Sequence, residues 1–350
     1  MTQKAVYRII DANFNRAREA LRVMEEVCRF GLNHAGLTAR SKQLRHDLCR
    51  AIAQLDSRQL LTCRDTPGDV GTDLCVDNPM PRTDLETCLT AGAKRLSEAL
   101  RALAEVIQTL DPVLARTVEQ IRYAAYTLEK DIVVLGEPIA RFRRVRLYVL
   151  INGDDPARAM DLTERCIAGG ADCLQLRCKR LNDRARLDLA LRFTDRCRTG
   201  GVVSIINDRA DIAVAARADG VHLGLEDLDA SAVRRLQMEP LIIGLTTHNT
   251  EELDQAIAQT PTYVALGPAF ATDTKPDLAP AGLDYLRQAM ERLSKTDLAQ
   301  VAIGGITRAN LAEVLATGAR TIAVCSAVTE NQDPAQACRG FKEELSACKS

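Results

Sequence analysis

The chain contains no tryptophan, and only 3% of its residues are aromatic. That scarcity argues against recognition of nucleic acid by base stacking, and a formal net charge of -1 gives no broad basic footprint for phosphate backbones. No apolar run approaches the roughly 20 residues needed to span a bilayer. The N-terminus, Met1-Thr2-Gln3-Lys4, leads into a charged helical pattern rather than an apolar signal core. The 12 cysteines include no Cys-x-x-Cys pair, so neither a zinc site nor a disulfide framework has its signature. Scattered singly, they read as reduced and mostly buried thiols. What remains is the expectation of a cytoplasmic enzyme with small-molecule partners, without nucleic acid or membrane. Its 350 residues, 46% hydrophobic, are enough for two domains with sizeable cores.

The second half is organised as eight short apolar runs, at 146–151, 171–177, 202–208, 220–224, 241–246, 263–268, 300–304 and 321–326. A helix-length amphipathic stretch follows nearly every one. Eightfold strand-helix alternation within roughly 200 residues implies an α/β chain whose 146–350 segment closes into a (β/α)8 TIM barrel, with its chemistry at the C-terminal strand ends.

Those ends carry charge. Strand two ends in Gln175-Leu176-Arg177-Cys178-Lys179, strand three in Asn207-Asp208, and the helix after strand four is expected to begin near Glu226-Asp227. Two carboxylates on separate strand ends facing cations on a third describe a divalent metal bridged to phosphate oxygens. Mg2+ needs few protein carboxylates, so Asp208 and Asp227 suffice. Strand six runs into Gly267-Pro268-Ala269-Phe270-Ala271-Thr272-Asp273-Thr274-Lys275, a loop with two hydroxyls and an ammonium. Strand seven ends in Gly304-Gly305 and strand eight in Cys325-Ser326-Ala327, where barrels bind a phosphomonoester with backbone N–H groups and a helix N-terminus. A diphosphate site and a monophosphate site thus share one mouth.

Five motifs in order, the Gln-x-Arg-x-Lys run, Asn-Asp, Asp-Gly-Val-His-Leu-Gly-x-x-Asp at 219–227, Gly-Pro-x-Phe-x-Thr-x-Thr-Lys and Gly-Gly-Ile, closely resemble thiamine-phosphate synthase. The resemblance covers the whole barrel. It implies condensation of a hydroxymethylpyrimidine diphosphate with a thiazole phosphate, releasing diphosphate. By the same resemblance Gln175, Arg177, Lys179, Asn207, Thr246 and Lys275 hold the pyrimidine diphosphate, and Arg177, Lys179 and Lys275 act in catalysis. Asp208 and Asp227 hold Mg2+, and Thr272, Thr274, Gly305, Cys325 and Ser326 hold the thiazole phosphate. Thr246 replaces the serine usual there and keeps the hydroxyl. Cys178 replaces an expected acidic residue, but it faces away from its phosphate-binding neighbours.

The chemistry is consistent with that assignment. An electron-rich aminopyrimidine can expel diphosphate to leave a stabilised cation, so leaving-group stabilisation and positioning suffice and no side-chain nucleophile is required. Bland readings exist for each part alone. Asn-Asp after a strand is commonly a turn or cap, Gly304-Gly305 a tight turn, His222 a satisfied core histidine and His248 a helix cap. The register across six strand ends outweighs them. A thiazole tautomerase barrel is the alternative, but it gives no role to Arg177, Lys179 and the aspartate pair together.

Residues 1–135 have helical periodicity and an internal repeat. Arg16, Glu19, Ala20, Leu21, Arg22, Met24, Glu26 and Val27 recur in the same spacing as Arg95, Glu98, Ala99, Leu100, Arg101, Leu103, Glu105 and Val106. A duplicated helical hairpin follows, with second helices near 37–56 and 112–133, giving an antiparallel four-helix-bundle-like domain. Ala17, Ala20, Leu21, Met24, Val27 and Cys28 form its apolar face. Arg16, Glu19, Arg22 and Glu26 share the other side, either as a solvated stripe of ion pairs or as a phosphate site or packed interface. The stretch 61–84, with Cys63-Arg64-Asp65-Thr66-Pro67-Gly68-Asp69-Val70-Gly71-Thr72-Asp73, is either a long turn or a phosphate-and-metal loop, and no Walker motif. This half resembles the helical domain fused ahead of thiamine-phosphate synthase in some bacteria, proposed to phosphorylate the pyrimidine precursor, which implies ATP as a partner. A structural or dimerisation module is the alternative. A linker is expected at 136–145, where Gly136-Glu137-Pro138 breaks the helix. Oligomeric state is left open, a homo-oligomer included.

Overall fold

The structure is a computed structural model that describes residues 2–32, 34–71, 82–236, 241–272, 279–294, 296 and 298–347. The chain divides at Val133 and Val134 into two compact units. Among the described residues no helix is long and apolar enough to cross a membrane.

The first unit is helical: α1 (Gln3–Glu26), continued by a π-turn (Val27–Gly31), α2 (Ala35–Ile52), the short α3 (Ser57–Thr62), α4 (Leu85–Ile107) and the first part of α5 (Pro112–Phe142). Thr2 starts α1 by accepting the Ala5 N–H, and Asp84 starts α4 in a capping box with Thr87. Apolar residues at helical spacing are buried: Ala17, Leu21 and Met24 from α1, Leu44 and Leu48 from α2, Leu96, Leu100 and Leu103 from α4, and Val118, Ile121 and Leu128 from α5. Of the expected apolar face of α1, only Val27 is merely half-buried. The second expected helix stops at Ile52 rather than near 56, because Asp56 turns outward to cap α3, taking the Arg58 and Gln59 N–H groups.

The expected break at Gly136-Glu137-Pro138 does not occur, and α5 runs unbroken to Phe142. Proline removes one intrahelical hydrogen bond, a cost of about 3 kcal/mol or more in a helix interior. Here it falls in the closing turns, where Pro138 and Phe142, four apart, are both buried, and the Phe142 ring stacks on Tyr263 at 4.1 Å between centroids. Packing outweighs the local preference.

The second unit closes β1 (Leu147–Asn152), β2 (Cys173–Arg177), β3 (Val203–Asn207), β4 (Gly220–Leu223), β5 (Ile242–Thr247), β6 (Tyr263–Leu266), β7 (Ala299–Ile303) and β8 (Ile322–Val324) into a parallel barrel. β1 pairs with β8 through Leu147 opposite Ile322 and Val149 opposite Val324, which removes both sheet edges. Helices α6 (Pro156–Ala168), α7 (Asp183–Thr199), α8 (Ala210–Ala215), α9 (Ala230–Leu236), α10 (Thr250–Ala258), α11 (Gly282–Leu293), α12 (Leu311–Leu315), α13 (Ser326–Thr329) and α14 (Pro334–Ala347) surround it. The strands are apolar on both faces, as strands covered by helices outside and filled within must be. Outward residues such as Val149, Leu174 and Leu176 pack on the helices, and Tyr148, Cys173, Ile205, Tyr263 and Val301 fill the interior.

Candidate active site at the barrel mouth

A cavity of about 330 Å3 opens at the C-terminal ends of the strands. Period-two alternation aims Gln175 and Arg177 into it while Leu176 packs outward. Lys179, Asn207, Asp208, Thr246, Thr272, Gly305, Cys325 and Ser326 also line it. Thr274 and Lys275 lie outside the described residues.

Asp208 is aimed by an unusual backbone, with φ of 64°, and its N–H donates to the carbonyl of His222 at 2.8 Å. It caps nothing: Arg209 occupies the N-cap of α8 and makes no side-chain cap bond. Asp227 does not open a helix, because α9 begins only at Ala230; its Oδ2 accepts the Gly224 N–H at 2.6 Å, which folds the β4 loop inward. The Asp208 and Asp227 carboxyls come within hydrogen-bonding reach of one another. Burial first, and then the Asp227 charge, push the Asp208 carboxyl above the usual carboxylate range, while Lys179 and Arg177 pull it back. Among the described residues no group of three or more His, Cys, Asp or Glu could hold a metal, so this pair stands by itself.

The Gly304-Gly305 turn has a steric cause. Gly304 has φ of 99° and Gly305 of 64°, and a Cβ on either would meet Pro268 at 2.3 Å or the Ala271 carbonyl at 2.5 Å. Only glycine brings this backbone against the β6 loop, and it leaves the turn's amide groups at the pocket wall. The helix after Cys325 is four residues long, so any anion contact there rests on single N–H groups more than on a summed dipole.

Several parts of the mouth have no local signature in the sequence. His222 is buried and both ring nitrogens are engaged, as a satisfied core histidine should be, yet it also lines the cavity. Its Nδ1 lies 3.0 Å from the Tyr263 hydroxyl and its Nε2 2.9 Å from Thr246 Oγ1. His248 lines the cavity too and is held by Glu252 at 2.9 Å; the cap of α10 is Asn249, one residue later. Asp154 accepts the Lys179 and Arg180 N–H groups, each at 2.9 Å, which fixes the loop carrying Lys179. Cys178 packs against the outer core, and burial pushes its thiol up to about 11, so it is protonated and inert at neutral pH.

In the helical unit the repeated charges are exposed. Arg22 reaches Glu26 at 2.9 Å and Arg101 reaches Glu105 at 2.5 Å, with all four side chains about half exposed, which is the solvated-stripe arrangement. The buried charges are elsewhere. Asp11 takes Nε and Nη2 of Arg64 at 2.8 and 2.7 Å, and Glu25 takes Nε of Arg45 at 3.0 Å. The start of the 61–84 stretch is thereby fastened to α1 at Arg64, and Asp65 adds a turn by accepting the Gly68 N–H. Residues 72–81 lie outside the described residues.

Residues 147–328 match the family described as thiamine monophosphate synthase, and residues 8–131 match the ThiD2 family. Over 348 residues the chain is 37% identical to the thiamine-phosphate synthase of Nostoc punctiforme, covering 99% of this chain and 96% of that protein. Against the enzyme of the same name from Gloeobacter violaceus it is 39% identical, covering 98% of each. The solved thiamine phosphate pyrophosphorylase of Pyrococcus furiosus superposes with a TM-score of 0.55 at 29% identity, over 60% of this chain and all of that one. Likeness at this level runs through both units and not the barrel alone, and on it the chain belongs to the thiamine-phosphate synthase family.

Proposed function

We infer that the barrel joins a hydroxymethylpyrimidine diphosphate to a thiazole phosphate, forming thiamine phosphate and releasing diphosphate. The observation that carries this reading is Asp208 beside Arg177 and Lys179 in a cavity also walled by the Gly304-Gly305 turn, with the Asp227 carboxyl against that of Asp208. Two adjacent carboxyls, one held high by burial and by the other, are a hard oxygen donor set that suits Mg2+, which takes one or two carboxylates and leaves room for phosphate. The residues fit the ion, and Asp208 and Asp227 would hold it. When bound it supplies neutralisation of charge on the departing diphosphate.

The chain's own groups do the rest. Arg177 offers a planar fork and Lys179 a point charge to the diphosphate, joined by Lys275 on the sequence reading. Gln175, Asn207 and Thr246 orient the pyrimidine; Thr272, Thr274, Gly305, Cys325 and Ser326 hold the thiazole phosphate so that its ring nitrogen faces the carbon losing diphosphate. No side-chain nucleophile is needed, since the electron-rich ring tolerates the cation until the thiazole nitrogen captures it. A thiazole tautomerase would have no use for the aspartate pair and its cations. Substrates this highly charged do not cross membranes unaided, which supports a cytoplasmic site of action. Turnover of the full-length protein tests the reading: Asp208→Ala and Asp227→Ala should each lose on the order of 10³-fold in rate. Near wild-type turnover at saturating Mg2+ in either variant overturns the metal assignment.

For the helical unit we propose phosphorylation of the pyrimidine phosphate by ATP, supported by the match to the ThiD2 family. The exposed stripe gives the repeated charges no special place in it. Calorimetric titration of the full-length protein with ATP and with the pyrimidine phosphate tests this; no heat beyond that of the barrel's own ligands leaves a structural module.

A further inference from the structure

We propose that Gln175 and Thr246 are the two ends of one polarised hydrogen-bond chain, Gln175–Tyr148–Tyr263–His222–Thr246, which fixes the tautomer of His222 and gives the two ends opposite donor and acceptor roles toward the ligand. The identity of that ligand rests on the reading above; the chain itself does not.

The links are short. Gln175 Nε2 donates to the Tyr148 hydroxyl at 2.7 Å, and the Tyr148 and Tyr263 hydroxyls are 3.0 Å apart. Tyr263 meets His222 Nδ1 at 3.0 Å, and His222 Nε2 meets Thr246 Oγ1 at 2.9 Å. A phenol has one proton to give. Because Tyr148 accepts from Gln175, its proton goes to Tyr263, and the Tyr263 proton goes to Nδ1. His222 is then neutral with its hydrogen on Nε2, which donates to Thr246, and the Thr246 proton turns to the cavity. At the other end Gln175 Oε1 is buried with no partner among the described residues, and the residue lines the same cavity, so it presents an acceptor. Rotating the amide by half a turn would reverse every link.

Two further features support the chain. It crosses an otherwise apolar interior of Ile205, Ala265 and Val301, and burial holds both phenols well above their ordinary range, hence protonated. Gly244 clears the space that the Tyr263 ring occupies, since a Cβ there would lie 2.0 Å from Cζ. A pyrimidine bearing an amino group beside a ring nitrogen offers a donor next to an acceptor, which complements an acceptor at Gln175 and a donor at Thr246. Tyr148 and Tyr263 are then positioning residues that touch no substrate.

The test is ¹⁵N NMR of the full-length protein labelled at histidine, paired with steady-state kinetics. We expect the Nε2–H tautomer of His222 in the wild type. Tyr263→Phe and Tyr148→Phe should each shift it toward a mixture and raise the KM for the pyrimidine diphosphate about tenfold, with the thiazole phosphate KM within about twofold. Thr246→Ser should keep the tautomer, and Thr246→Val should raise the KM. An Nδ1–H tautomer in the wild type, or one unchanged in both phenylalanine variants, overturns the proposal. The tautomer is read without turnover, so an inactive wild type would sink the synthase reading and leave this measurement standing.

Discussion

The Tyr263 phenol occupies the space in front of Gly244: a Cβ built on that glycine would lie 2.4 Å from the hydroxyl oxygen as well as 2.0 Å from Cζ. The barrel interior is therefore fitted around one ring, which also stacks on Phe142 and meets Tyr148 edge-on at 6.1 Å.

Gly244→Ala should force that ring aside and destabilise the protein by about 1–3 kcal/mol, the usual cost of overpacking a filled core. Thermal unfolding is the measurement, and an unchanged Tm would mean the interior yields more easily than close packing allows.

The two kinds of charge in the helical unit should behave differently. Arg45→Ala leaves the buried Glu25 carboxylate, among the described residues, with Arg22 at 3.4 Å, and should cost about 1–3 kcal/mol. Arg101→Ala removes an exposed pair and should cost under about 0.5 kcal/mol. Denaturant unfolding of both variants decides it; equal losses would contradict the exposed-stripe assignment.

Protonation of Asp208 should be visible in stability. Its folded-state value is raised above the ordinary 3.8 by burial and by Asp227, so its contribution is fully present below 3.8 and is lost as pH rises through the folded value. Relative to Asp208→Asn, the wild type without metal should therefore lose stability on going from pH 4 toward neutrality. On the proposed assignment added Mg2+ should cancel that loss, by stabilising the ionised pair. A difference between the two proteins that does not vary with pH, measured by chemical denaturation, would remove this electrostatic account of the pair.

The two anion positions should separate in kinetics. Arg177→Ala should raise the KM for the pyrimidine diphosphate about tenfold or more and leave that for the thiazole phosphate nearly unchanged, and Thr272→Ala should do the reverse more weakly. Initial rates with each substrate varied in turn provide the check, and parallel changes in both constants from both variants would merge the two sites into one.

Much of the mouth was legible because strand alternation is a local property. Once 171–177 is taken as a strand, Gln175 and Arg177 must share a face and Leu176 the other, and the closed barrel turns the first face inward. The glycine pair at 304 and 305 was equally readable as a turn, though the crowding that requires it comes from Pro268 and Ala271 on another strand's loop. The helical repeat gave α1 and α4 their core faces, but not the meaning of the charges on them. The ion pairs of Asp11 and Glu25 depend on Arg64 and Arg45, 53 and 20 residues away, being brought against them.

The sequence by itself determined the order of elements, the faces they bury and the residue types at the barrel mouth, because these follow from periodicity along the chain. What only the closed fold adds is that the helix continues through Pro138 and that His222 joins Tyr263 to Thr246. Each of those depends on packing between residues distant in sequence, and its energy exceeds the local preference that the sequence shows.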